Sequence, residues 1–360
     1  MRIGIALPTL AAGDAVGNDC LGMARVLRRR GHDVEFFAWT ANGVDERVRG
    51  LEEIPKVLKS ADDVFIYHHS IGCEPAVRAI ERLPAKRKAI KYHNVTPPEF
   101  FAKTNPKVAE GCIEGIKQVH RLAKTDAHIW ADSEFNARDV RAAVPGRVVA
   151  ELPPFHQADD LFRTEPDSRA AIGLDDWTTN ILLVGRVVPN KDVPLAIRAF
   201  TEYRKTHDPH ARLIVAGAWP LADHAQKVLR LIRELGQEGH AFVTGSVTVA
   251  QLKALYLTAD LLLVTSQHEG FCVPLVEAMG LRVPVVAVPN AAVPFTGGDA
   301  ARYAEAEPIK LATEIAAVIG DPTEREAQVN RGWRRYAERF AVPSIEKRFE
   351  ELFDELLAAK

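Results

Sequence analysis

Two glutamates separated by seven residues, in the run Glu269-Gly-Phe-Cys-Val-Pro-Leu-Val-Glu277, follow directly on the apolar run Leu261-Leu262-Leu263-Val264. They therefore stand where a buried strand ends and a helix begins. Thr265, Ser266 and Gly270 close the strand pattern, and Pro274 suits the first helical position, where its missing N–H costs nothing. The amides of Phe271, Cys272, Val273 and Leu275 are then expected to be free at a helix N-terminus, whose natural ligand is a phosphate or diphosphate. Gly270 would let such a ligand approach the backbone closely. A carboxylate beside an anion must face another part of the ligand, and sugar or ribose hydroxyls are good partners for it. With Glu269 on the loop and Glu277 expected in the first helical turn, the pair points to a sugar–diphosphate–nucleoside. The alternative reading makes Glu277 a helix-dipole carboxylate and Glu269 a solvated loop residue.

A second group of residues has complementary charge. Gly185 and Arg186 follow the strand-like run Ile181-Leu182-Leu183-Val184, and Asn190-Lys191 opens the next helical pattern. Arg186 and Lys191 could both reach a phosphate faced by the Glu269–Glu277 helix. Alone they would read as surface cations near a turn; two such groups at strand ends in one half of the chain favour a shared anion site.

The elements that must position these residues alternate regularly. Strands are expected at Arg2–Leu7, Val34–Trp39, Asp63–His68, Lys88–His93, His128–Ala131 and Val148–Leu152. A second set follows at Asn180–Val184, Arg212–Ala216, Ala241–Thr244, Leu261–Thr265, Val283–Ala287 and Arg302–Ala304. Helical patterns lie between them, among them Cys20–Arg30, Val108–Ala123, Val193–Thr206, Ala222–Leu235, Ala250–Leu257 and Pro274–Met279. This is the pattern of an α/β protein with two parallel, helix-flanked sheets. At 360 residues two domains are the default. Pro153-Pro154 marks the crossover, giving expected domains 1–157 and 158–340, with a closing helix 341–360 packed back on the first. The charged amphipathic stretch Glu324–Lys360 is expected to break at Pro343. Ligands of such sheets bind at the carboxyl ends of the strands, in a cleft between the two domains.

Composition removes several function classes. A net charge of −2 gives no sign of nucleic-acid binding. No apolar run is long enough to span a bilayer. Met1–Leu7 reads as a first core strand rather than a signal peptide, so a cytoplasmic protein is expected. Cys20, Cys73, Cys112 and Cys272 lack CxxC spacing, and neither a zinc site nor a disulfide framework is expected from them. Arg28-Arg29-Arg30 and Lys86-Arg87-Lys88 would allow weak peripheral contact with an anionic membrane, although short charge runs are usually solvated faces.

The run from Gly185 to Pro289 resembles the nucleotide-sugar-binding half of the retaining glycosyltransferases with the two-Rossmann-domain GT-B fold, specifically glycosyltransferase family 4 (glycosyl transferases group 1). The residues that carry the resemblance are Gly185-Arg186 with Lys191, the strand ending at Ala216-Gly217, Thr244-Gly245-Ser246-Val247, Leu255-Tyr256 with Ala259-Asp260, and above all HEGFCVPLVEAMG followed by VPVVA. The N-terminal half is a weaker match, through Arg30-Gly31-His32-Asp33-Val34 and Tyr92-His93-Asn94. The resemblance implies a GT-B fold with an acceptor-side first domain and a donor-binding second domain. It implies that Arg186 and Lys191 hold the donor diphosphate, Glu269 the hexose hydroxyls and Glu277 the ribose. The amides from Phe271 to Leu275 would help hold sugar and diphosphate, Val247 would meet the base, and His93 the sugar near the reacting carbon.

The loop after the first strand departs from the family, which often has a Gly-Gly pair there. Here Gly13, Asp14, Gly17 and Asn18 are candidates for an acceptor or phosphate loop, and Asp19 for the N-cap of the next helix. The implied reaction is transfer of a hexose (mannose, glucose or an N-acetylhexosamine) with retention, from a UDP-sugar or GDP-sugar to a sugar, glycolipid or small-molecule acceptor, in polysaccharide or glycolipid assembly. A metal-independent enzyme with no cofactor and no metal site is expected, since cations and amides fill that role at the diphosphate and no DxD-like pair stands there. A glycosidase pair is disfavoured if the helix N-terminus lowers the pKa of Glu277. A nucleotide-sugar 2-epimerase shares the implied fold, and a two-lobed sugar-binding protein is the non-enzymatic alternative.

Overall fold

The computed structural model describes residues 1–171, 174 and 178–358. The chain divides into two compact units, Met1–Gln157 with Ala341–Lys360, and Ala158–Phe340.

In the first unit seven parallel strands lie in the order Val48–Arg49, Asp33–Phe37, Arg2–Ala6, Val64–His69, Arg87–Tyr92, His128–Ala131 and Ala150–Glu151. Their apolar runs are buried on both faces, as expected of a parallel sheet. One face is covered by helix Ala15–Arg29 and the closing helix Val342–Ala358, which bury Met23, Leu27, Ile345, Phe349 and Phe353 in one core. The rings of Trp130 and Phe155 both meet Phe349 edge-on. Gly22 has to be glycine, because a Cβ would lie 2.4 Å from Phe155 Cβ. The Arg28–Arg30 run is neutralised inside its own unit: Arg28 pairs with Glu46, Arg29 with Glu346 and Arg30 with Asp354. No helix among the described residues is long and apolar enough to cross a membrane.

The second unit holds six parallel strands in the order Ala241–Gly245, Arg212–Ala216, Asn180–Val184, Leu261–Val264, Val285–Ala287 and Arg302–Tyr303. Each sheet reverses its direction of growth beside its first central strand. Those switch points lie between Arg2–Ala6 and Val64–His69, and between Asn180–Val184 and Leu261–Val264. There the connections leave in opposite directions and open a crevice at the carboxyl ends.

Several expected bounds shift, the first helix beginning at Ala15 rather than Cys20. The Val148–Leu152 strand shrinks to Ala150–Glu151, with Val148 exposed, because only Trp130 and Ala131 pair with it. Pro343 does not break the C-terminal stretch; it lies in the first turn of Val342–Ala358, where proline is tolerated. The break falls at Ala341, after the π-helical turn Tyr336–Phe340.

Candidate functional site

At the switch point of the second sheet, three strand ends are stitched side by side. The amide of Gly185 donates to the Ala216 carbonyl at 2.9 Å, that of Val187 to Ala218 at 2.9 Å, and that of Gly217 to Gly245 at 3.0 Å. Gly217 has φ +158, and a Cβ there would lie 2.0 Å from the Gly185 carbonyl oxygen, so this close approach requires glycine. Gly185 in turn packs on the Lys191 stem, its missing Cβ leaving 3.3 Å to Lys191 Cε. Arg186 is exposed at the strand end, and its side chain makes no ion pair or hydrogen bond among the described residues.

Lys191 closes the short turn Pro189–Lys191, and its carbonyl accepts from the Thr265 hydroxyl at 3.1 Å. Asn190 ties the same turn to the facing loop, its carbonyl accepting from Gln267 N–H and its amide donating to the His268 carbonyl. That stitching brings Lys191 Nζ to 2.5 Å from Glu269 Oε1, which also accepts from Ser266 Oγ at 2.6 Å. Burial alone would lower the Lys191 ammonium, but Glu269 holds it above its ordinary value, so it stays charged. Ser266, which sequence reasoning placed only as a strand terminator, is thus a partner of Glu269.

The following helix, Val273–Gly280, begins one residue earlier than expected, and Pro274 is its second residue. Cys272 enters it with φ +75, a left-handed conformation costing on the order of 1–3 kcal/mol in a non-glycine residue. The amides of Phe271, Cys272 and Val273 make no backbone hydrogen bond among the described residues. Leu275 differs from expectation: its N–H is taken by the Cys272 carbonyl at 3.1 Å, which leaves the amides of Phe271, Cys272 and Val273 for a ligand. Gly270 lies half-buried in the loop before them. Burial and the neighbouring Glu269 push the Cys272 thiol well up, which makes it an inert core group.

Glu277 corrects two expectations. It lies in the second turn, beyond the reach of the exposed helix N-terminus, and its carboxyl is raised rather than lowered because burial outweighs the hydrogen bond from Tyr256 Oη at 2.7 Å. Glu269, bound to an ammonium and a hydroxyl, is the carboxylate that disfavours a glycosidase pair. Val247 is half-buried in the loop between Gly245 and the N-cap Thr248.

In the first unit the candidate loop is already closed on itself. Asp14 caps helix Ala15–Arg29, accepting from the amides of Val16 and Gly17, and Asn18 N–H bonds the Asp14 carbonyl. Gly13 is a left-handed turn residue with φ +76. Gly17 is inside the helix, where a Cβ would lie 2.2 Å from the Ala11 carbonyl oxygen; it serves packing, and its amide is spent on Asp14. Asp19 is not an N-cap but a fully buried residue of the first helical turns.

His93 is drawn inward. Its amide extends the sheet by donating to the His69 carbonyl at 3.0 Å, and Asn94 then turns the chain at φ +73. Its Nε2 lies 2.9 Å from His68 Nδ1, and its Nδ1 lies 3.0 Å from Asp132 Oδ2. Lys91 reaches the same Asp132 and donates to the Leu152 carbonyl at 2.6 Å. His68, Asp132, Lys91 and Asp19 were not singled out as partners of His93. The available signal was that each polar residue except Asp19 ends, or nearly ends, an apolar strand run.

Residues 164–335 match the family model described as Glycosyl transferases group 1. Over 346 residues, 92% of this chain and 82% of the relative, the sequence is 25% identical to the lipopolysaccharide 1,2-N-acetylglucosaminetransferase of Salmonella typhimurium. The fold matches sucrose-phosphate synthase from Thermosynechococcus elongatus with a TM-score of 0.80 and 15% identity, over all of both chains. The chain has the GT-B fold, and its second unit resembles the glycosyl transferases group 1. Anabaena Alr3699/HepE, solved in complex with UDP and glucose, shares this GT-B fold with a TM-score of 0.77 and 20% identity, over 99% of this chain and all of that one. The group 1 match spans the second-unit site in full, from Gly185 to Glu277.

Proposed function

We propose that this chain is a glycosyltransferase that moves a hexose, with retention, from a UDP-sugar or GDP-sugar to an acceptor hydroxyl in glycolipid or polysaccharide assembly. The observation that carries the reading is the switch-point arrangement of Arg186, Lys191 and Glu269 beside three free amides. The relative's name points to a glycolipid acceptor, and the Anabaena complex to a uridine donor.

In this reading the diphosphate lies against the amides of Phe271, Cys272 and Val273, with Arg186 and Lys191 as its cations. Glu269 takes hexose hydroxyls and Glu277 the ribose, while Val247 meets the base. The bond from the anomeric carbon to the phosphate oxygen breaks as the bond to the acceptor oxygen forms on the same face. The acceptor proton passes to the departing phosphate oxygen. The growing charge on the diphosphate is met by groups already in place, which is electrostatic preorganisation. No metal has to take part at the diphosphate. The first unit supplies the acceptor side.

Arg186→Ala tests this directly. Turnover with the productive donor should fall about 10²- to 10³-fold while the fold, read by circular dichroism, is unchanged. Near wild-type turnover would overturn the assignment, as would conversion of the nucleotide sugar to its 2-epimer without acceptor.

A further inference from the structure

In the first unit, three side-chain atoms from two strand ends and one helix converge on a single point. Asp19 Oδ2 lies 3.5 Å from His68 Nδ1 and 3.5 Å from His93 Nε2, and the two nitrogens are 2.9 Å apart. The point equidistant from the corners of a triangle with those sides is about 1.9 Å from each. Zinc–nitrogen and zinc–oxygen bonds are about 2.0–2.2 Å, so an ion would sit just out of this plane.

We propose that Asp19, His68 and His93 bind a divalent transition ion of the zinc class, with a water completing a four-coordinate site.

Two further features point the same way. Asp19 is fully buried, its Oδ1 accepts from Phe155 N–H at 2.8 Å, and its Oδ2, aimed at the centre, has no hydrogen-bond partner. At 3.5 Å the histidine nitrogens are too far to hydrogen-bond it well, yet near the edge length of about 3.3 Å between ligands of a tetrahedral ion. Asp132 accepts from His93 Nδ1, which makes Nε2 the lone-pair nitrogen, available to an ion in place of His68 Nδ1; this carboxylate–histidine pairing is the usual support of a metal-bound imidazole. Lys91 is the opposing charge, 3.9 Å from Asp19 Oδ2, but its ammonium is held on Asp132 and the Leu152 carbonyl. Two imidazoles and one carboxylate suit zinc better than magnesium or calcium, which prefer all-oxygen sites. The rival arrangement is a single proton shared by His68 and His93, which would leave Asp19 Oδ2 without a hydrogen bond.

The test uses the untagged full chain and reads metal, not transfer. Elemental analysis of the purified protein should find about one zinc-class ion per chain. Chelation should lower Tm, and added Zn2+ should restore it. Co2+ should give the visible bands of a four-coordinate ion. Asp132→Asn, which leaves all three ligands in place, should weaken Zn2+ binding about 10- to 100-fold, and Asp19→Asn should abolish the cobalt spectrum. If Asp19→Asn fails to fold, the wild-type stoichiometry and cobalt spectrum still decide. A wild-type chain that retains no metal and shows neither a Zn2+-dependent Tm nor a cobalt spectrum would overturn the site and leave the shared proton.

Discussion

Glu277 is only partly exposed and carries a charge that burial disfavours, eased by one hydroxyl from Tyr256. Such a group costs the ligand-free protein stability and is retained when a ligand uses it. Glu277→Gln is therefore expected to raise Tm without donor and weaken nucleotide-sugar binding about 10- to 100-fold, the loss of a hydrogen bond to a charged group. The pH dependence follows from the sign. The folded-state pKa lies above the unfolded one, so between the two the folded chain binds more protons. The burial cost is fully present above the folded pKa and is relieved as pH falls through it. Donor affinity should move the opposite way, falling as the carboxylate is protonated, and both trends should vanish in Glu277→Gln. Thermal shift against pH, with and without donor, checks both. In the sequence the residue type and its helix were legible, but its turn was not. Starting the helix at Val273 instead of Pro274 moves Glu277 out of the first turn and exchanges the helix dipole for burial as the dominant influence.

Elements bounded by clear punctuation were legible end to end: Asn180–Val184 and Arg212–Ala216 are unbroken apolar runs after polar loops, and Val193–Thr206 has Pro194 in its first turn. What stayed hidden was long-range closure. Asp19, His68, His93 and Asp132 come from one helix and three strand ends, and only the pairing of the strands brings their side chains together. Gly217 belongs to the same class, since its need for glycine arises from the Gly185 carbonyl on the neighbouring strand. Gly217→Ala should cost at least about 2–3 kcal/mol, because both backbone and contact are forbidden to a Cβ. It should also displace Gly185-Arg186 and lower turnover. Gly320→Ala is the control: it meets nothing within 4 Å and should leave stability and turnover near wild type. Urea midpoints at constant slope separate the two variants.

The chain passes from the first unit to the second at Gln157–Ala158 and returns at Phe340–Ala341, so the first core is completed by the last helix. Val342–Ala358 buries Ile345, Phe349, Leu352, Phe353 and Leu356 against strands made of the first 131 residues and is pinned by Arg29–Glu346 and Arg30–Asp354. Exposed ion pairs of that kind contribute little. Five buried side chains at about 1.5–3 kcal/mol each come to roughly 10 kcal/mol, comparable with the whole stability of a domain. Truncation after Phe340 should therefore unfold the first unit, while the second, whose core draws on residues 181–318, keeps its structure. Phe349→Ala should cost the first unit about 3–5 kcal/mol, since Trp130 and Phe155 both lose their edge contacts with that ring. Limited proteolysis locates the loss: cleavage should spread through residues 1–157 and spare 178–340. The truncated chain should still be stabilised by a nucleotide sugar yet transfer nothing, because the proposed donor residues all lie in the second unit. A truncated chain that resists proteolysis throughout would show that the closing helix only covers a core already complete.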